Sequence, residues 1–145
     1  MAIKLNTGKE AFPIEFDNGD KVEIFFNPND PDLAIRMRDF QAKANARIEE
    51  LKNMDLTPEG KPNDVAMIDE FEKMRSILCE EMDYAFNGDI SSKIFKHCSP
   101  FAIVNGDYFL LLFIDAIIPE IKKRVKKSNE QAQKRMGKYL NKYGR

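Results

Sequence analysis

The sequence is poor in the residues that build metal sites and nucleophilic centres, with one histidine and two cysteines among 145 residues. A zinc site usually takes four such ligands, and a nucleophilic cysteine needs a base beside it in space. His97 and Cys98 are neighbours in the sequence, which does not make them partners in geometry, and Cys79 lies upstream. We therefore interpret all three as buried or half-buried packing residues and predict neither a metal site nor a catalytic role for them.

Motifs that carry common enzyme chemistry are also missing. The chain has no Gly-rich phosphate loop, no nucleophile-elbow pattern and no Cys-x-x-Cys pair. The acidic cluster Glu80, Glu81 and Asp83 could support acid–base chemistry only inside a pocket that alters its protonation. On a predicted helix it is better explained as a solvated face. We predict a non-catalytic protein that needs no cofactor.

Long apolar runs are absent too. The most apolar stretch, Tyr108–Ile118, has about eleven residues and falls well short of the roughly 20 needed to span a bilayer. The start, Met1-Ala2-Ile3-Lys4, lacks the apolar centre of a secretory signal. Together with the two cysteines, these features predict reduced thiols in a cytoplasm and no membrane partner.

Charge is unevenly distributed along the chain, although the net charge is only −1. Residues 120–145 hold ten Lys or Arg against two Glu, a net charge of +8, which leaves −9 for residues 1–119. Acidic body and basic tail could attract each other, within one chain or between copies. The length fits one domain over 1–145 that buries its own core. We divide it into a hairpin (12–26), a helical core (31–121) and a basic C-terminal helix or tail (122–145).

Residues 12–26 have the pattern of a β-hairpin, because apolar and polar residues alternate on both sides of Asn18-Gly19. Pro13 suggests that the first strand is a sheet edge, and an edge offers unpaired backbone groups to a second copy. The alternative is a hairpin that only packs on helices. The apolar positions, which are also the predicted self-association residues, are Phe12, Ile14, Phe16, Val22, Ile24 and Phe26.

An amphipathic helix of about 20 residues is predicted after the hairpin. Asp30 can cap it, with Pro31 at its first position. The prolines and the glycine of residues 57–62 then break the chain. The apolar stripe of this helix is Leu33, Met37, Phe40, Ala44, Ile48 and Leu51.

A second helix is predicted from Asn63 or Asp64, with Gly88 as its stop. A short third helix is indicated by Ile90 and the pair Ile94-Phe95. The second helix has a stripe formed by Val65, Ile68, Phe71, Leu78, Met82 and Phe86, widened by Met67, Met74 and Ile77.

The stretch Asp107–Lys127 is the predicted centre of the fold. A helix that is apolar over so much of its surface must be wrapped on most sides by other parts of the chain or by another chain. Asp107 is placed to cap this helix, and Pro119 should kink or divide it. The alternative is a second hairpin about Asn105-Gly106, because short apolar runs are ambiguous by periodicity alone. The helical continuation through Ile121 favours the helix.

The basic tail is the predicted partner-binding segment. Its cations could follow a nucleic-acid backbone, meet an acidic protein surface or merely keep the chain soluble. The absence of a nucleic-acid motif and a pI of about 5.9 argue against nucleic acid as the partner. The predicted partner-binding residues are Lys122, Lys123, Arg124, Lys126, Lys127, Lys134, Arg135, Lys138, Tyr139 and Tyr143.

Several features follow one another in a distinctive order. They are the hairpin Phe12–Phe26 with Asn27-Pro28-Asn29-Asp30-Pro31 after it, the segment Phe86–Phe95, Ser99-Pro100 before the Asn105-Gly106-Asp107 turn, the Phe113–Pro119 helix and the end Lys138–Tyr143. In this order they resemble the tail assembly chaperones of long-tailed bacteriophages and prophages of Gram-positive bacteria. The resemblance covers residues 10–143 and depends on pattern and order, with no single diagnostic motif.

The resemblance implies a small, mostly helical, non-catalytic protein of the host bacterial cytoplasm that is absent from the mature virion. Such chaperones coat the tape measure protein until tail tube subunits polymerise around it, which makes the tail tube protein a second candidate partner. They often self-associate, so a homo-oligomer is expected, and a frameshifted longer form is common. Two alternatives stay open: a structural component of the virion tail, and a small nucleic-acid-binding protein that acts through the basic arm.

Overall fold

The computed structural model describes residues 1–54 and 65–143, with side chains through Lys138. Its elements in chain order are the strands Glu10–Glu15 (β1) and Lys21–Phe26 (β2), the helices Pro31–Lys52 (α1), Val65–Phe86 (α2) and Ser91–Ile94 (α3), the strands Ile103–Val104 (β3) and Asp107–Tyr108 (β4), and the helix Phe109–Tyr143 (α4). The predicted fold class is confirmed: the protein is mainly α (α+β), with an N-terminal β-hairpin on a small helical bundle and a long C-terminal basic helix.

The predicted N-terminal hairpin is confirmed, with β1 and β2 antiparallel and Phe12 opposite Ile24. The Phe16 N–H donates to the Asp20 carbonyl at 2.8 Å across a turn in which Gly19 has a φ of 89°. Because an antiparallel ladder alternates, this bond directs the even-numbered N–H groups of β1 toward β2 and position 13 outward. Pro13 therefore occupies a position where a missing N–H costs no ladder bond.

A chain of aromatic rings joins the hairpin to the helices. The rings of Phe12 and Phe26 stack with centroids 4.2 Å apart. Phe26 meets Phe86 edge-on at 5.0 Å, and Phe86 lies 6.1 Å from Phe113 on α4. All four side chains are buried, and such ring pairs contribute about 0.5–1.5 kcal/mol each beyond their buried area. The two strands, α2 and α4 therefore share one core.

The first helix forms as its sequence predicts. The Asp30 carboxylate accepts a hydrogen bond from the Asp32 N–H at 2.9 Å, and α1 begins at Pro31. Such a cap contributes about 1 kcal/mol to helix stability. All six residues of the predicted stripe are buried, so α1 presents one continuous apolar face to the core.

The second helix departs from its prediction at the start. Met74, Leu78 and Met82 are buried as the spacing indicated, but Val65 is 73% exposed and Ile68 is 49% exposed. The predicted stripe is wrong for these two residues: among the described residues, α2 contributes to the packed cluster from Phe71 onward. The predicted break at 57–62 and the predicted start at Asn63 or Asp64 lie outside the described residues.

The end of α2 is set by two residues. Asn87 adopts a left-handed φ of 57°, and the Gly88 N–H donates back to the Asp83 carbonyl at 3.1 Å. The left-handed residue at the end of α2 is thus Asn87, one residue before the predicted stop at Gly88. At Gly88 a Cβ atom would lie 3.0 Å from the Phe25 carbonyl oxygen, so a side chain here would require β2 to move by a few tenths of an ångström.

The acidic cluster on α2 is not the solvated face that the sequence predicts. The Asp83 carboxylate accepts hydrogen bonds from the Ile90 N–H at 3.0 Å and from the Ser91 N–H and hydroxyl at 2.8 Å each. It thereby ties α3 to α2. The Glu81 side chain is only 11% exposed and pairs with Arg47 of α1 at 3.0 Å. Two of the three carboxylates therefore hold helices together.

The segment before α4 combines the two alternatives left open by the sequence. A two-residue hairpin forms about Asn105-Gly106, with Val104 opposite Asp107, and the helix starts directly after it. The prediction that Asp107 caps the helix is wrong, since its carboxylate accepts the N–H of Tyr108, which is still in the strand. The first two N–H groups of α4 donate instead to the carbonyls of Ala102 and Pro100, at 2.8 and 2.9 Å.

Helix α4 is buried on one face. Leu110, Phe113, Ile114 and Ile117 are buried, whereas Leu111 and Leu112 are half-buried and Ala116 is exposed. The prediction of a helix wrapped on most sides is therefore correct for one face only. Pro119 does not divide the helix, which runs through it to Tyr143. Across residues 1–54 and 65–143, no helix has an apolar stretch long enough to cross a bilayer.

Candidate partner-binding surface

Helix α4 continues past the body of the protein as an exposed arm. Over residues 126–138, every side chain except that of Ser128 is exposed. The helix nevertheless carries apolar and small residues on one side at intervals of three and four, which is the spacing of a helix–helix contact. We call this row the α4 seam; it consists of Ile118, Ile121, Val125, Ser128, Ala132 and Met136.

The α4 seam begins inside the fold and ends outside it. Ile118 and Ile121 pack against the core as half-buried side chains. Val125 is half-buried, Ala132 is exposed and Met136 is 59% exposed. The same helical face that docks α4 onto the body therefore remains apolar where the body no longer covers it.

A groove of about 490 Å³ lies between the α4 seam and the start of α1. Leu33, Ala34 and Met37 form its α1 wall, after the loop from Pro28 to Asp30. The Asp30 cap fixes the direction of α1 at this point and thereby the position of that wall. The α4 wall consists of Ile118, Ile121, Lys122, Val125, Ser128, Asn129 and Ala132.

Arg124 is the one cation of the predicted set that is held within the body. Its guanidinium carbon lies 3.7 Å from the centre of the Phe12 ring. Its nitrogens pair with Glu10 at 3.3 Å and Glu120 at 3.6 Å, and its side chain is 23% exposed. The sequence predicts Arg124 as a partner-binding residue, whereas the structure uses it to join α4 to β1.

The remaining described cations of the arm face solvent. Lys123 pairs with Glu120 at 3.6 Å. Among the described residues, six others form no ion pair and are exposed: Lys122, Lys126, Lys127, Lys134, Arg135 and Lys138. The side chains of Tyr139 and Tyr143, also in the predicted set, lie outside the described part of the chain. The arm therefore presents positive charge that its own body does not neutralise.

The predicted self-association residues of the hairpin point inward. Phe12, Ile24 and Phe26 are at most 1% exposed. The other three, Ile14, Phe16 and Val22, are half-buried against the same core. Their side chains pack within the chain, and self-association through the hairpin stays a prediction. Pro13 also removes the central outward donor from the free edge of β1, which leaves that edge a weak template for a further strand.

His97 stacks on the hairpin, and the two free cysteines are half-buried. His97 stacks on Phe16 with ring centroids 4.0 Å apart, and its Nδ1 lies 3.6 Å from the Asp20 carboxylate. Burial raises the pKa of the Cys79 thiol, and a hydrogen bond with Ser91 opposes that shift. Burial, together with the charge of Asp17, also raises the pKa of Cys98. Within the described residues, no three His, Cys, Asp or Glu side chains converge to hold a metal ion.

The sequence analysis missed the groove and the length of the α4 seam. The signal was present, because the three- and four-residue spacing runs from Ile118 to Met136 through the basic tail. The basic residues between these positions concealed the pattern. No protein-family model, curated protein or solved structure matches this chain, so the surface is interpreted from its own residues.

Proposed function

We propose that this protein is a non-catalytic phage tail assembly chaperone that binds and solubilises the tape measure protein during tail morphogenesis. The observation that supports the proposal is the α4 seam, a helical row of apolar and small residues that continues past the body, beside cations that pair with no other described residue. A tape measure protein is a long chain of amphipathic helices that would aggregate alone. Masking it requires apolar contacts of this kind, repeated along its length by many copies.

The strength of such a contact suits a temporary partner. Burial of four or five apolar side chains contributes on the order of 5–10 kcal/mol before the costs of ordering the two chains. The Ala and Ser positions of the α4 seam place this surface toward the lower end of that range. Growing tail tube subunits can displace a partner held at that strength, as assembly demands.

The other parts of the proposal follow from the same role. The protein acts in the host bacterial cytoplasm, leaves before the virion matures and works as a homo-oligomer along its partner. Copies side by side on one long chain would reinforce one another by their high effective concentration. The tail tube protein is the second proposed partner, because it replaces the chaperone.

Co-expression with the tape measure protein encoded by the same phage or prophage tests the proposal. We expect a soluble complex that elutes together on size-exclusion chromatography. A variant that ends at Lys127 should keep the packed face of α4 and lose most of the complex. An insoluble tape measure protein beside the full-length chain would contradict the proposal. Mass spectrometry of purified virions separates a chaperone, which should be missing, from a structural tail component.

A second candidate function is favoured by one observation, the six exposed and unpaired cations on one helix. A protein that followed a phosphate backbone with these residues would bind nucleic acid with an affinity that falls steeply with salt. Gel shifts at two salt concentrations measure this directly. Truncation at Lys127 removes three of the six cations, so a salt-dependent shift that this truncation weakens would favour nucleic acid over the chaperone.

A further inference from the structure

We infer that the groove and the α4 seam together bind one amphipathic α-helix whose flanking residues are acidic. This inference deepens the proposed function and rests on that function for one point, the identity of the protein that carries the helix. The chemistry of recognition follows from the described residues. The site would accept any helix of this kind, which allows the recognition to be tested without a tape measure protein.

The shape of the site calls for a helix. The α4 seam presents side chains at intervals of three and four residues, and a second helix with the same spacing fits its knobs into the holes between them. At the body, Leu33 and Met37 of α1 form a second apolar wall opposite Ile121 and Val125. A partner helix would therefore lie in the groove at one end and along the exposed arm at the other, as in other helix-in-groove complexes.

The charges around the site call for carboxylates. Helical geometry places Lys122 beside one edge of the α4 seam and Arg135 beside the other, with Lys126 and Lys138 farther round the helix on the same two sides. None of these four residues forms an ion pair with another described residue. Between Ile121 and Lys138 the only acidic residue is Glu130. Acidic flanks on the incoming helix would pair with both rows, as charges flanking coiled-coil seams do.

A second copy of this chain fits the site poorly. Pairing two α4 seams would bring the same unpaired cations face to face, which is unfavourable. The acidic helix α2 has already buried Met74, Leu78 and Met82 in its own core, and α1, which is not acidic, has buried its apolar stripe. A second copy thus offers either an apolar row with the wrong charge or the acidic helix α2, whose exposed apolar residues Val65 and Ile68 form a short pair and not a row as long as the α4 seam.

Binding of designed peptides to the full-length protein tests the inference. The probe is a fluorescein-labelled helix of three heptads with Leu at the a and d positions and Glu at e and g. Its counterpart carries Lys at e and g. By fluorescence anisotropy we expect the Glu peptide to bind at least about a hundredfold more tightly than the Lys peptide, with an affinity that falls as salt is added.

Substitutions of exposed alanines locate the binding. Ala34→Glu and Ala132→Glu each place a carboxylate on a wall of the groove, and each should weaken the Glu peptide about tenfold or more. Ala42→Glu on α1 and Ala116→Glu on α4 are matched controls, since both residues are exposed and lie away from the groove. These controls should leave the affinity unchanged. Unfolding curves of all four variants check that each one folds.

Several outcomes would overturn the inference. One is equal binding of the two peptides, and another is equal loss in the groove and control variants. A dimer in sedimentation experiments that Ala132→Glu dissociates would assign the seam to a second copy. If the Glu peptide binds as expected but the tape measure protein stays insoluble, the inference stands and the proposed function fails. If a tape measure complex forms equally well with the Ala34→Glu and Ala132→Glu variants, the proposed function stands and the inference fails.

Discussion

Arg124 of α4 lies over the ring of Phe12 of β1, with its guanidinium carbon 3.7 Å from the ring centre. The other side of the Phe12 ring stacks on Phe26, so the cation closes the end of the aromatic chain. Glu10 and Glu120 pair with the guanidinium nitrogens and hold it there. The first part of the basic helix is therefore fastened to the body, and the cations after it are left free.

Replacement of Arg124 should affect stability rather than partner binding. We expect Arg124→Ala to lower the free energy of unfolding by about 1–2 kcal/mol, because a cation–π contact and partly exposed ion pairs are lost together. Lys126→Ala removes a neighbouring exposed cation and should leave stability unchanged. Urea denaturation measures both. Equal stability of the two variants would contradict the structural role of Arg124.

Two glycines should respond in opposite directions to alanine. Gly88→Ala places a Cβ 3.0 Å from the Phe25 carbonyl oxygen, and the displacement of β2 should cost about 1–3 kcal/mol. Gly137 lies inside α4 with nothing within 4 Å of a Cβ. Gly137→Ala should therefore stabilise the helix by about 0.5–1 kcal/mol. Thermal unfolding followed by circular dichroism reports both signs, and a stabilising Gly88→Ala would refute the close contact.

Removal of Arg47 should be costly, because it leaves Glu81 nearly buried without its counter-charge. The Arg47 Nε lies 3.0 Å from Glu81 Oε1, and the other Glu81 oxygen is buried and has no hydrogen-bond partner among the described residues. We expect Arg47→Ala to destabilise the protein by about 2–3 kcal/mol, less than for a fully buried pair because Arg47 is partly exposed.

The matched control for Arg47 is Lys52→Ala. Lys52 is 59% exposed and pairs with Glu49, which is 69% exposed, so its removal should change stability by less than about 0.5 kcal/mol. Both variants are compared in the same urea titration. Similar midpoints for the two would show that the Arg47 pair does not join α1 to α2.

The Cys79 thiol should make stability depend on pH in the alkaline range. Burial raises its pKa in the folded state, so between the unfolded and the folded pKa the native state binds more protons than the unfolded state. The free energy of unfolding should then fall as the pH rises above the ordinary thiol pKa. Cys79→Ser should remove part of this slope, as measured by urea titrations at several pH values. Cys98, whose pKa is also raised, supplies the comparison through Cys98→Ser.

The sequence correctly predicted the secondary-structure elements that are determined by residues close together in the chain. The alternation about Asn18-Gly19 and the spacing from Leu33 to Leu51 each depend on residues close in the chain, and both predictions are confirmed. Asp107 failed as a cap because a two-residue hairpin delays the helix until Phe109. The residue at which the helix begins depends on hydrogen bonds to carbonyl groups of the preceding loop, and the spacing of apolar residues gives no information about those bonds.

Tertiary pairing decided what the sequence could not. Glu81 and Asp83 look like solvent-facing residues until α1 supplies Arg47 and α3 supplies backbone N–H groups. Arg124 looks like one more tail cation until β1 supplies Phe12. For the candidate site, the sequence predicted a basic C-terminal helix or tail, and most of the described cations of that segment are exposed. The groove was missed because one of its walls comes from Leu33 and Met37, far away in the chain.

Because α4 continues unbroken through Pro119, the α4 seam is one continuous surface whose length fixes how much of a partner each copy covers. From Ile118 to Met136 a helix rises about 27 Å, so a partner helix laid alongside is covered over about 18 residues by each copy. The number of copies on a fully coated partner should therefore grow in proportion to its length. Lengthened and shortened partners would then recruit the protein in a fixed ratio of subunits to residues.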